Sequence, residues 1–225
     1  MKTVLITGVG RGIGLATAKK FLKEEWTVIG TFHKAPVPFA DPKFMPIELD
    51  LSMSESIDRA AEEIDKRKVR IDVLVNNAGI ILDAKDPVAD AEKVRGTLAV
   101  NVVGVVDFTE KTIPFLVEKA HVINIDSNYG SFSLPIDDET STGYRISKAA
   151  LNMYTRTLAF RLKDKGIVVS SLDPGWVKTD MGNAVASETE KPDRTPDEAA
   201  DDIYKLATAT VPSGRFWRFG KEREW

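Results

Sequence analysis

The chain contains no cysteine. That excludes a disulfide framework, a thiolate nucleophile and a thiolate metal site, and it suits a reducing compartment. Histidine is nearly as scarce. His33 and His121 are the only two, far apart and without ligand spacing, so no zinc-enzyme pattern is present. No long apolar run exists. The longest stretch without a charge, 96–106, is eleven residues, against the ~20 that a membrane helix needs. An excess of one charge sign is also missing. Thirty-one Lys and Arg stand against 34 Asp and Glu, a net charge of -3, which argues against a polyanion such as a nucleic acid as partner. Arg11 interrupts the first apolar run too early for a secretory signal. These absences lead us to expect a cytoplasmic protein that acts on small molecules.

What is present is ordinary globular composition, 43% hydrophobic and 29% charged over 225 residues, enough for one domain with a sizeable core. Short Val- and Ile-rich runs at 3–7, 27–32, 45–49, 71–75, 121–125 and 167–172 are apolar on both faces, as buried parallel strands are. A seventh run, 215–219, alternates more and suits an edge strand. Between them lie helical patterns. The stretch 12–24 places Leu15, Ala18 and Leu22 on one face. Ser52 with Glu55 predicts a capping box ahead of Ile57, Ala60, Ala61 and Ile64. Two long helices are predicted over 89–118 and 143–164, the second with Ile146, Ala150, Met153, Thr157 and Phe160 as its apolar face. Thr195-Pro-Asp-Glu198 opens a last helix. Strand–helix alternation predicts a single-domain, doubly wound α/β sheet of about seven strands with helices on both faces. Residues 34–46, with four prolines, and 182–191, small and polar, read as loops.

The first strand runs into Thr7-Gly-Val-Gly-Arg-Gly-Ile-Gly14 and a helix follows. Glycines there permit a sharp turn and let a pyrophosphate approach the helix N-terminus. Tyr144 and Lys148, four apart, share one helix face. A phenol with a reference pKa near ~10 is a poor acid at neutrality, and a cation within about 4–6 Å lowers that value. Tyr144 so placed can give a proton to a carbonyl oxygen or take one from an alcohol.

The spacing T-G-x-x-x-G-x-G resembles the short-chain dehydrogenase/reductase family, and four further motifs follow in the family's order. They are Asn76-Asn-Ala-Gly79, Asn101 in Val100-Asn-Val-Val-Gly104, Tyr144-Arg-Ile-Ser-Lys148, and Pro174-Gly-Trp-Val-Lys-Thr179. The stretches around Tyr144 and Pro174 look most like the family's C-factor-like and sniffer-like carbonyl reductase branch. The resemblance implies a Rossmann-type fold and a nicotinamide cofactor. It makes Asn101, Ser127, Tyr144 and Lys148 the catalytic set: Ser127 orients the substrate carbonyl, Lys148 also bonds the ribose, and Asn101 holds a helix carbonyl and a water that hands protons to Lys148. Ser131 competes with Ser127 on spacing. Ser127 is preferred because the strand ends on it and Ser127-Asn-Tyr-Gly130 matches the family's S-x-x-G turn. The residue before the serine is often a second serine in the family, and here it is Asp126.

The resemblance also implies that Gly8, Gly10, Arg11, Gly12, Ile13 and Gly14 cradle the cofactor. Asp50 and Leu51 would border its adenine, and Asn77, Ala78 and Gly79 its ribose. Pro174, Gly175, Val177 and Thr179 would hold the nicotinamide. No acid follows the second strand. Phe32, His33 and Lys34 stand there, and Arg11 precedes the second family glycine, which points to NADP, with NADPH preferred over NADH. Tyr129 and Trp176 are candidate substrate-pocket walls, and 180–196 a short covering segment. The expected activity is NADPH-dependent reduction of an aldehyde or ketone. A cofactor-binding signalling or scaffold protein is the alternative, disfavoured by the intact Ser–Tyr–Lys set. Halide elimination is disfavoured because Lys148 is not arginine. The family's habit of pairing through its two long helices, with surplus apolar Leu98, Val102, Val105, Val106, Leu151, Tyr154 and Leu158, implies a homodimer or homotetramer.

Overall fold

In a buried parallel strand alternate side chains enter opposite helix layers, and the computed structural model, which describes residues 2–34, 37–136 and 138–225, shows this directly. Strands β1 (Thr3–Ile6), β2 (Thr27–Phe32), β3 (Phe44–Glu48), β4 (Ile71–Asn76), β5 (Leu116–Ile125), β6 (Val168–Asp173) and β7 (Arg215–Arg218) pair in parallel. Their order is β3-β2-β1-β4-β5-β6-β7, and an antiparallel β8 (Lys221–Arg223) closes the edge. The helices are α1 (Gly12–Lys23), α2 (Ser54–Lys66), α3 (Ala91–Leu98), α4 (Val105–Thr112), α5 (Thr142–Arg161), α6 (Asp180–Ala184) and α7 (Pro196–Thr208). Leu5, Ile29, Leu74 and Val122 pack beneath Ile57, Phe108, Leu151 and Leu158 of α2, α4 and α5. Val4, Ile6, Val28 and Ile123 meet Ala18, Phe21, Ile203 and Leu206 of α1 and α7 on the other face. No helix among the described residues is long and apolar enough to cross a membrane.

The doubly wound sheet is as expected, with these differences. An eighth strand, exposed and charged, carries no apolar signal. β5 begins at Leu116, and the exposed polar pair Glu118–Lys119 within it is why the apolar pattern starts only at 121. The stretch 89–118 is not one helix. A π-helical turn, Ala99–Gly104, separates α3 from α4, and a 3₁₀ turn, Ile113–Phe115, leads into β5. Gly104 explains the close packing there: a Cβ on it would lie 2.0 Å from the Leu51 carbonyl oxygen. Met53, not Ser52, stands at the N-cap of α2, since the Ser52 hydroxyl donates to Asp50 at 2.6 Å. The Thr195 capping box is present in full. The predicted apolar face of α5 is its outer one: Ile146, Met153 and Phe160 are exposed, while Ser147, Lys148, Asn152 and Thr155 are buried. Of the surplus residues named for pairing, Val105, Leu151 and Leu158 belong to the core. Within 182–191, the first residues belong to α6. Ala35 and Pro36 of the proline-rich loop lie outside the described residues.

Candidate active site

The C-terminal ends of the parallel strands form one cleft, and the crossover reversal between β1 and β4 opens it. Thr7, just past β1, stitches two of these ends together. Its hydroxyl oxygen accepts the N–H groups of Asn77 and Ala78, each at 2.9 Å, while the Asn77 amide donates to the Thr7 carbonyl at 2.8 Å. Gly8 turns the chain with φ +75°, a conformation that costs other residues strain. Gly14 sits behind the loop rather than on the cleft wall, where a Cβ would come within 2.2 Å of the Gly8 oxygen. Gly8, Gly10, Arg11, Gly12, Ile13, Asn77, Ala78 and Gly79 line the cleft. A Cβ on Gly8 would lie 3.1 Å from that of Ala78, and one on Gly12 would lie 3.2 Å from the Thr179 methyl, so glycine keeps the turn close to both neighbours. Glycine backbone at a helix N-terminus fits a dinucleotide pyrophosphate.

At one end of the cleft, His33 and Lys34 follow β2, and Asp50 and Leu51 follow β3; all four line it. His33 Nε2 lies 3.2 Å from Asp50 Oδ2. Hydrogen bonding from Ser52 holds the Asp50 carboxyl below its usual value against a smaller effect of burial. The Arg11 guanidinium pairs with Asp180 at 2.5 Å, across the cleft mouth.

At the other end, β5 finishes at Ile125 and Ser127 caps a 3₁₀ turn, its hydroxyl accepting the Tyr129 N–H at 3.2 Å. Helix α5 delivers Tyr144 and Lys148 to the same wall. Lys148 Nζ donates to the Ile125 carbonyl at 2.7 Å and lies 5.5 Å from the Tyr144 ring centre. Ser131 points away, its hydroxyl 3.0 Å from that of Ser133. Asn101 lies in the π-helical turn, buried behind the cleft. Its Oδ1 accepts the Ile80 N–H at 2.8 Å, and its amide donates to the Ile80 carbonyl and to Ser147 Oγ. The carbonyl it holds is therefore in the segment after β4 and not in a helix.

Electrostatics correct one expectation. The Tyr144 phenol is pushed upward from its ordinary value, not downward. Burial is the main cause, Asp126 and Asp173 add to it, and a hydrogen bond with Ser127 opposes it. Burial also lowers Lys148, weakening the ammonium that was expected to dominate, although Asp126 and Asp173 favour its charged form. Asp126 itself is raised to about 7, chiefly by burial. Tyr144 thus holds its proton at neutral pH, the state an acid needs before it donates.

Beside Tyr144, Tyr129 stands edge-on with ring centres 6.2 Å apart. The Arg145 guanidinium stacks 4.0 Å from the Tyr129 ring and bonds Asp138 at 2.7 Å, strapping the loop before α5 to that helix. Trp176 lines the same region, its indole N–H donating to the Gly182 carbonyl at 2.7 Å. Pro174, Gly175, Val177 and Thr179 follow β6 along the cleft, and Thr179 also caps α6. Sequence reasoning did not single out Asp173 or Arg218, which meet at 3.4 Å on the cleft floor. An acid placed directly before Pro174-Gly at a strand end was a usable signal for the first. Arg218, brought in by the last parallel strand, had none.

The model of the short chain dehydrogenase family matches residues 2–190. The 3-oxoacyl-(acyl-carrier-protein) reductase FabG of Thermotoga maritima is 33% identical over 99% of this chain and 86% of its own. The serine 3-dehydrogenase of Agrobacterium fabrum is 30% identical over 92% and 88%. Among solved structures, the NADPH-bound carbonyl reductase from chicken fatty liver superposes with a TM-score of 0.86 at 28% identity, covering 100% of this chain and 94% of that one. Sniffer of Caenorhabditis elegans gives 0.83 at 26% identity with full coverage of both. With the family model matched over residues 2–190 and relatives at 30% identity or more over nearly the whole chain, the chain belongs to the short chain dehydrogenase family of oxidoreductases.

Proposed function

We propose that this oxidoreductase uses NADPH to reduce an aldehyde or ketone to the alcohol. The observation that carries the reading is the convergence of Ser127, Tyr144 and Lys148 on one wall of a cleft whose opposite end is a glycine cradle. Bound nicotinamide supplies the hydride. Ser127 orients the carbonyl oxygen, Tyr144 gives it a proton, and Lys148, tied to Ile125, holds positive charge beside the phenol as it ionises. Asn101 fixes the turn that Ile80 brings to the cleft. Arg11, His33 and Lys34 favour a 2′-phosphate, since no acid replaces them at the end of β2. One or two charge-assisted bonds of roughly 1.5–3 kcal/mol each correspond to at least about tenfold preference. The likeness to the NADPH-bound chicken reductase supports this choice. Tyr129 and Trp176 wall the substrate region and 180–196 covers it. Exposed Val103, Ile146, Met153 and Phe160 on the α4–α5 side support a homodimer or homotetramer. The absence of cysteine suits a cytoplasmic setting.

NADPH consumption against a panel of aldehydes, ketones and quinones tests the reading. Turnover of at least one carbonyl class, with NADPH bound at least tenfold more tightly than NADH, is expected. Silence across the panel contradicts the activity, and equal or tighter NADH binding contradicts the roles of Arg11, His33 and Lys34.

A further inference from the structure

We infer that Asp126 is a positioning residue for this reaction: its buried carboxylate fixes the backbone that carries Ser127 and sets a negative charge beneath Tyr144 and Lys148. The inference rests on the reading above. Three features carry it. Asp126 directly follows Ile125, whose carbonyl receives Lys148 Nζ, and directly precedes Ser127. Its Oδ1 accepts the Ser127 N–H at 2.8 Å and its Oδ2 accepts the Ser171 hydroxyl at 3.3 Å. Ser171 also meets Asn152, one turn beyond Lys148, and Asn152 donates to Gly130 in the turn after Ser127. The carboxylate therefore ties β5, β6, α5 and the serine turn into one network, while only 2% exposed.

The charges around it are equally specific. From α5, Lys148 and Tyr144 face it. From β6 comes Asp173, with Arg218 of β7 and Arg194 behind that acid. Two buried acids thus share one buried ammonium on the floor of the cleft. A hydrogen-bonding role alone requires no charge, because an asparagine amide at 126 can accept from Ser127 and donate to Ser171. A charge-bearing role does require it. A nearby anion makes every group around it hold its proton more tightly, so Asp126 delays deprotonation of the Tyr144–Lys148 pair as pH rises. Asp126 is itself raised to about 7 by burial, so it exerts this effect above neutrality and loses it below.

The test is the pH profile of kcat/KM for carbonyl reduction by the full chain, wild type against Asp126→Asn, with NADPH affinity and thermal unfolding measured alongside. The alkaline limb belongs to the Tyr144–Lys148 pair jointly. In Asp126→Asn it should move down by about one pH unit, which is tenfold in rate on the far limb. The two profiles should run parallel below pH ~6, where Asp126 is neutral, and NADPH affinity should not change. Superimposable limbs overturn the proposal, whatever happens to the melting temperature. Should Asp126→Asn fail to fold, Asp126→Ser makes the same comparison. An absorbance titration of the Tyr144 phenol, read as each protein minus its Tyr144→Phe counterpart, compares wild type with Asp126→Asn directly. A midpoint that is not lower in Asp126→Asn overturns the proposal as well. If Tyr144→Phe keeps its turnover, the proposed function fails. If it loses turnover while the Asp126→Asn limb stays put, only this inference fails.

Discussion

Arg11 and Asp180 meet at one end of the cleft with side chains 83% and 74% exposed, whereas Lys148 and Asp126 lie at the other end only 6% and 2% exposed. Water screens the first pair, so its attraction is worth at most about 1 kcal/mol. Such pairs open easily for an anionic ligand, and their cations remain free to meet a phosphate. The second group has lost its water. Burial of that kind costs several kcal/mol per ion and is weak support for the fold, but it makes each neighbouring charge felt strongly. One end is arranged to exchange partners and the other to hold a proton.

The largest effect is expected from breaking the buried end. Tyr144→Phe keeps the ring and removes only the hydroxyl, so turnover should fall at least about a thousandfold. NADPH affinity measured by fluorescence titration should stay near wild type. Ser127→Ala should lower kcat by about a hundredfold, and Ser131→Ala, whose hydroxyl bonds Ser133, should change it less than twofold. A crippled Ser131→Ala reverses our assignment of the two serines.

Next comes the cradle between the two ends. Gly14→Ala sets a Cβ 2.2 Å from the Gly8 oxygen and 2.5 Å from the Asn77 amide. Backbone must move, at a cost of roughly 1–3 kcal/mol in stability, and NADPH binding should weaken at least tenfold. Urea unfolding and calorimetry read the two effects.

A buried titratable group outside the cleft sharpens the contrast. His121, bonded to Ser170 at 2.9 Å, is lowered to about 4 by burial. Its folded value lies below the unfolded one of ~6.5, so the unfolded chain binds more protons between the two. Stability should therefore fall as pH drops from about 6.5 toward 4, by up to about 1.4 kcal/mol per unit from this group. Comparing wild type with His121→Gln at pH 7 and 5 isolates that slope; equal slopes contradict it. The smallest effect belongs to the exposed end, where Arg11→Ala should alter stability by less than about 1 kcal/mol while reducing the NADPH preference severalfold.

Much of this was legible in the sequence because the signals are local. Val- and Ile-rich runs marked five of the seven parallel strands within a residue or two, and the motifs at Gly8, Asn76, Tyr144 and Pro174 fall together on the cleft. What escaped depends on distant contacts. Helical period shows that α5 is two-sided but not which side turns inward, and its inner side sets polar Lys148 and Thr155 beside Leu151 and Leu158 because it also meets Asn124, Ser171 and Ile125. The π-helical turn arises where Asn101 reaches Ile80 and Gly104 lies against Leu51, neither a neighbour in sequence. The upward shift of Tyr144 reflects burial and two acids, one just past β5 and one at the end of β6, so the local Tyr144–Lys148 spacing suggested the opposite sign.

The most direct test of the central claim follows deuterium from NADPH labelled at the nicotinamide C4 into the alcohol product, comparing wild type with Tyr144→Phe at saturating cofactor. Our account predicts label on the former carbonyl carbon with wild type, and none above background with a Tyr144→Phe protein that still binds NADPH. Label transfer by Tyr144→Phe at the wild-type rate, or its absence from wild type with every carbonyl that wild type consumes, would contradict it.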